Sequence, residues 1–195
     1  MILSLLDSAP HDDASLLSLL RKPRKDGAPE ARGPLIEGPF APGARPLAAL
    51  ADGDKLHIVA RGGRGSVAEL VAEELVDRLE ALGLGRSVRL RQIHLIVDNT
   101  GVGDSASFAE HFAAALAAGG FQVMEIKAPR GCVRSDENGK VHILPVEAQE
   151  SLAKPRSETT DPVAVTDALA AQGWVPSRKE LNYYTGPQVQ EKHRS

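Results

Sequence analysis

Three short stretches of this sequence hold the residue types that do chemistry. The first is "ARGGRGS", Ala60 to Ser66, where Arg61 and Arg64 stand among glycines just after an apolar run. Guanidinium groups beside glycine-flexible backbone amides near a helix start suit a phosphate or a carboxylate. The stretch lacks the lysine and spacing of a P-loop and misses the GxGxxG spacing of a dinucleotide loop. The second is "DNTGVGDS", Asp98 to Ser105. Asp98 and Asp104, six positions apart in a loop, are a thin basis for a divalent cation. Ser105 would act as a nucleophile only with a base beside it, and its place ahead of a helical run reads instead as a helix cap. The third is "APRGC", Ala128 to Cys132, which carries the single cysteine. Cys132 and His142, ten residues apart across an expected hairpin, form a candidate thiol–imidazole pair. A structural thiol beside an ordinary strand histidine is the plainer account. His57 and His94 lie inside apolar runs, His111 follows Glu110 on a helix, and no pair has HExxH or other zinc spacing, so no metal is expected.

The elements around these stretches follow from periodicity. "LHIV" after the turn signal "DGD" reads as a buried strand, and "RQIHLIVDNTG" and "FQVMEIKAP" read as two more. Between the first two, "SVAELVAEELVDRLEALGLG" sets Val67, Leu70, Val71, Leu75, Leu79 and Leu82 at helical spacing. Ser66 is the expected N-cap, Glu69 has the box spacing, and Gly83 or Gly85 is the stop. "SASFAEHFAAALAAGG" is the next helix, with Phe108, Phe112, Ala115 and Leu116 inward. Strand, helix, strand, helix, strand predicts a parallel sheet with right-handed crossovers, whose ligands gather at the carboxyl ends of the strands. "CVRSDENGKVHILP" predicts a β-hairpin flap turning at Asn138–Gly139.

Upstream, "MILSLL" reads as a first strand or buried segment, and "DDASLLSLLRK" as a two-turn helix capped by Asp12 or Asp13. A membrane-contacting or targeting helix is the alternative there. Pro23 to Pro46 is broken by Pro and Gly and reads as an irregular arm. Downstream, "DPVAVTDALAAQG" predicts a helix before a polar end. The expected organisation is an N-terminal helix and arm (1–45), an α/β core (46–150), and a C-terminal helix and tail packed on it (151–195).

Composition sets limits. The chain has 195 residues, 42% of them hydrophobic, which is enough for one domain with a sizeable core. A net charge of -3 and an aromatic content of 4% argue against general nucleic-acid binding, which needs basic surface and stacking platforms. One cysteine forms no intrachain disulfide, which fits folding in a reducing cytoplasm. No run of transmembrane length and no classical signal peptide are read, and non-classical secretion is compatible with so few cysteines.

The order of features from Pro46 to Leu144 resembles the caspase-like cysteine protease domain with which large bacterial toxins process themselves. "LHIVARGG" stands where that family has the strand ending in its catalytic histidine, and "VAELVAEELVDRL" stands at the following helix. "IHLIVDNTG" matches the strand ending in the catalytic cysteine, and "FAEHFAAALAAGGFQVMEIKAP" with "CVRSDENGKVHI" completes the run. The resemblance implies a caspase-like, mostly parallel sheet flanked by helices. It also puts Arg61 at the histidine place and Asn99, or Asp98 one residue earlier, at the cysteine place. Arginine stays protonated near neutral pH and an asparagine amide is a poor nucleophile, so the resemblance implies a pseudoenzyme. The family's inositol hexakisphosphate patch would correspond to Lys127, Arg130, Arg134 and Lys140, and Arg89 and Arg91 precede a strand.

The expectation is therefore a catalytically degenerate caspase-like protein that binds a protein partner, as a regulatory protein or a bacterial effector exported from the cytoplasm. Two alternatives stand beside it. One is a cysteine hydrolase with relocated chemistry at Cys132 and His142, or at Ser105. The other is a phosphate or inositol-polyphosphate binder using Arg61 and Arg64 or the flap cations. No other cofactor is expected, and the sequence does not fix the oligomeric state.

Overall fold

The computed structural model describes residues 1–6, 34–103, 107–135, 141–145 and 181–185. In chain order its elements begin with strands β1 (Ile2–Ser4), β2 (Leu35–Glu37) and β3 (Lys55–Val59), with a 3-10 turn at Pro46–Ala49. Helix α1 (Ala72–Ala81) leads to β4 (Arg89–Leu90) and β5 (Gln92–Ile96), and helix α2 (Phe108–Ala118) leads to β6 (Gln122–Val123) and β7 (Glu125–Pro129). Then come β8 (Gly131–Ser135), β9 (Val141–Pro145) and β10 (Leu181–Thr185).

Six strands form the main sheet in the order β10-β7-β5-β3-β1-β2. Five run parallel, and β10 pairs antiparallel with β7 at the edge. The mostly parallel α/β sheet expected from sequence is thus present. The apolar runs of β3 and β5 are what a strand covered on both faces requires. The second and third expected strands each contain a bend. Arg89–Leu90 and Gln122–Val123 pair with each other as a small parallel sheet, and the chain turns at Arg91 and at Met124, which is 48% exposed, before entering the main sheet.

One face of the sheet is aliphatic. Leu56 and Ile58 from β3, Ile93 and Leu95 from β5 and Ile126 from β7 are nearly or wholly buried against Leu75 and Leu79 of α1 and Phe112 and Leu116 of α2. The helices supply those residues at the i, i+4 spacing that puts them on one stripe. Leu47 of the 3-10 turn joins the same cluster. The opposite face is mixed. Ile2, Leu6, Val59 and Ile96 form a second buried cluster with Val133 of β8. Beside them lie the buried Ser4 and Gln92 and the half-buried His57 and His94.

The sheet crosses the boundary expected at residue 45. β1 pairs with both β2 and β3, so the first strands belong to the core and not to a separate arm. β2 is three residues long and sits at the outer position, where a strand between Pro34 and Gly38–Pro39 keeps enough pairing partners. Arg78 of α1 stacks its guanidinium 5.7 Å from the Phe40 ring and ties the following loop to the helix. At the other end, Leu181–Thr185 forms an edge strand inside what reads in sequence as a polar end. The expected helices at 12–22 and 161–173 lie outside the described residues.

Candidate functional site at the strand tips

β3, β5 and β7 are neighbours and run in the same direction, so their carboxyl ends share one edge. The last rung between β3 and β5 is Val59 opposite Ile96. Arg61 and Asp98 each lie two residues beyond that rung. The two tips on which the functional reading depends therefore stand side by side, on adjacent strands.

The loop after β3 differs from the sequence expectation. The helix starts at Ala72, not after Ser66. Residues 62–70 fold into a compact turn held by bridges between Gly62 and Val67 and between Val67 and Leu70. Ala68 and Glu69 adopt positive φ, 51° and 64°, which no helix tolerates. The N-cap position is Val71, whose N–H donates to Glu74 Oε2 at 3.0 Å. Gly62 has a packing reason to be glycine, because a Cβ there would stand 2.3 Å from the Ser66 carbonyl oxygen. This geometry weakens the anion-cradle reading of Arg61 and Arg64. The helix N-terminus is several residues away and already holds a carboxylate. The N–H groups of Gly63, Val67, Ala68 and Leu70 donate to the chain's own carbonyls. Arg61 and Arg64 themselves are exposed.

The loop after β5 is joined to the base of the β8–β9 hairpin. Asp98 Oδ1 accepts the Val133 N–H at 2.7 Å, the Asn99 N–H reaches the Gly131 carbonyl at 2.9 Å, and the Gly101 N–H reaches the Pro129 carbonyl at 2.8 Å. Gly101 allows that approach, since a Cβ would lie 2.9 Å from the Ala128 carbonyl oxygen. Asn99 has φ 57°, a left-handed backbone that asparagine accepts better than most residues. Its Nδ2 donates to Cys132 Sγ at 3.8 Å, and its Oδ1 is buried without a hydrogen-bond partner among the described residues.

Cys132 is therefore at the main strand tips, in contact with Asn99, and not out on the flap as its sequence position suggests. The reason is that β8 begins two residues after β7 ends and folds straight back over the β5 tip. The ladder sets Cys132 opposite Leu144 and His142 opposite Arg134, so Cys132 and His142 are diagonal and not facing.

The helix cap after this loop is Ser107, whose Oγ accepts the Glu110 N–H at 3.2 Å, and not Ser105. Ser105 and Asp104 lie outside the described residues, as does Lys140. Lys127 sits within β7 with its ammonium 3.9 Å from Glu125, which offsets its charge locally. Arg130 is exposed at the β7 tip, and Arg134 is a rung of β8. The described part of the flap patch thus runs along β7, its tip and β8. Among the described residues no three His, Cys, Asp or Glu side chains gather as a metal site, and no helix is long and apolar enough to cross a membrane. No protein-family model and no curated protein matches this chain.

Sequence reasoning missed the Asn99–Cys132 contact. The partners are 33 positions apart on elements whose junction has no local signature. The only available hint was the shortness of "APRGC" between two strands, which forces the hairpin to start at the sheet edge.

Proposed function

We propose that this chain is a caspase-like domain without peptidase chemistry, which acts by binding a protein partner at its strand tips. The observation that supports the reading is that β3 and β5 are paired neighbours up to Val59 and Ile96, with Arg61 and Asp98, followed by Asn99, each two residues beyond that last pair. These are the positions at which the resembling family keeps its histidine and cysteine. A permanently protonated guanidinium is no general base, an amide is a poor nucleophile, and the Asp98 carboxylate accepts the Val133 N–H. Asp98 and Asn99 are also engaged in holding the hairpin, as structural groups are. The same edge exposes Arg61, Arg64 and Arg130, a rim suited to polar contacts with a protein surface.

The test is covalent labelling with peptidyl chloromethyl ketones of varied terminal residue, together with a casein digestion assay. The expected outcome is no cleavage, with any Cys132 alkylation rising linearly with reagent. Saturable labelling of Cys132 that disappears in His142→Ala would overturn the proposal in favour of the relocated thiol–imidazole pair.

A further inference from the structure

We propose that His57 and His94 form a two-histidine site for a divalent transition-metal ion of the zinc class, which clips β3 to β5. The inference stands apart from the proposed function and rests on register, ring spacing and surroundings.

Register comes first. His57 and His94 are direct partners in the β3–β5 ladder, so both side chains leave the sheet on the same face. The ladder continues on either side of them, from Lys55 opposite Gln92 to Val59 opposite Ile96. The two imidazoles are therefore carried by the centre of the sheet and not by a loop. A pair of this kind has no spacing signature such as HExxH, because the residues between its members form a helical connection of arbitrary length.

Ring spacing is the second observation. The ring centroids stand 5.6 Å apart and the rings are inclined by 60°, so they are not stacked face to face. An imidazole bound through nitrogen at about 2.0–2.1 Å keeps its ring centre roughly 3.2 Å from the metal. Two such rings around one tetrahedral ion stand about 5.2–5.7 Å apart, allowing for some widening of the angle between them. The observed separation falls in that range. The outer torsion of histidine is broad, so turning a nitrogen toward a shared ion requires no movement of the strands.

The surroundings favour a soft-to-borderline cation held by nitrogen. Both rings are half-buried. Toward the tips the next row is the buried Val59 and Ile96, and toward the strand starts it is Gln92, which donates to Glu125. Apolar neighbours on one side restrict water and strengthen a ligand bond. Lys127, opposite His94, opposes a second cation, and Glu125 at 3.9 Å from its ammonium offsets that charge. Imidazole suits zinc, copper and nickel, whereas magnesium and calcium prefer oxygen. Two protein nitrogens leave the other positions to water, so binding is reversible and weaker than at a closed four-ligand site. An ion held by the folded chain alone stabilises it increasingly with concentration.

The experiment titrates zinc chloride into the untagged full chain and follows the imidazole nitrogens by proton–nitrogen correlation NMR, beside thermal unfolding. The expected result is that ring nitrogens of His57 and His94 shift together while the melting temperature rises. His57→Gln and His94→Gln should each weaken zinc binding at least about tenfold, and the double variant should do no worse than either alone. His111→Gln, at an exposed position of α2, should leave the affinity unchanged. Magnesium chloride at the same concentration should move neither ring. Unmoved His57 and His94 signals in millimolar zinc, zinc affinity retained in both single variants, or equal shifts with magnesium would each overturn the proposal. If a variant does not fold, the signals of the unaltered chain decide.

Discussion

The two faces of the sheet are built from alternate residues of the same strands, yet they differ in kind. In β3 the aliphatic face takes Leu56 and Ile58, both fully buried, while the other takes His57 between Lys55 and Val59. In β5 the aliphatic face takes Ile93 and Leu95, while the other takes Gln92, His94 and Ile96. Register aligns the contrast across the sheet. His57 is opposite His94, with ring centroids 5.6 Å apart, and His94 is opposite Lys127. One row nearer the strand starts, the Gln92 Nε2 donates to Glu125 Oε2. Where two helices lie over a sheet, dispersion and loss of apolar area from water provide the stability. A polar row on the other face contributes less to that term and more to specifying what packs there, since each buried polar group demands a particular partner.

The widest gap between the faces should appear on truncation of adjacent residues in β3. Ile58→Ala removes buried methyl groups from the aliphatic cluster and should cost about 2–5 kcal/mol in urea unfolding. His57→Ala, one residue away, should cost less than half as much. Equal losses would mean that the polar row carries as much stability as the aliphatic core.

A smaller effect is expected at the tips. Asp98→Ala leaves the Val133 N–H without its carboxylate acceptor and should cost roughly 1–3 kcal/mol. Amide exchange at residues 131–133 should accelerate more than exchange in β3 or α1. A uniform acceleration would show that the hairpin base and the sheet open as one unit.

The smallest effect belongs to an ion pair away from both faces. Arg86 Nε lies 2.8 Å from Glu80 Oε1, and that hydrogen bond holds the Glu80 carboxyl below the usual glutamate range. A carboxyl lowered in the folded state stabilises above its unfolded pKa, and that contribution fades as pH falls through the folded value. The pair is solvent-exposed, so Glu80→Gln should shift the melting temperature barely measurably at neutral pH, and not at all at acid pH. A larger loss at acid pH than at neutral pH would contradict this sign.

The strands and helices were legible because their signals are local. Apolar runs of strand length mark β3 and β5, and leucines four apart mark α1. The start of α1 was misread because the sequence offers an acceptable cap at Ser66, five residues before the one used. The choice was made by Gly62–Val67 bridging, a contact outside any helix pattern. β2 and β10 escaped notice for another reason. Each lies at a sheet edge, where pairing to a neighbour, and not apolar character, makes the strand. At the candidate site the tips themselves could be read from chain order. Their joining to the hairpin through Asp98 and Asn99, and to the end of β7 through Gly101, could not, because it depends on how closely β8 folds back over β5.

That junction has a mechanical consequence. The hairpin is fastened to the β5 tip by hydrogen bonds from Asp98 and Asn99, while Gly101 holds the end of β7, which continues directly into it. Force applied to β8 or β9 therefore reaches the loop between β5 and α2 without first passing through the sheet. A molecule that grips the hairpin holds a lever whose short arm ends at Asn99.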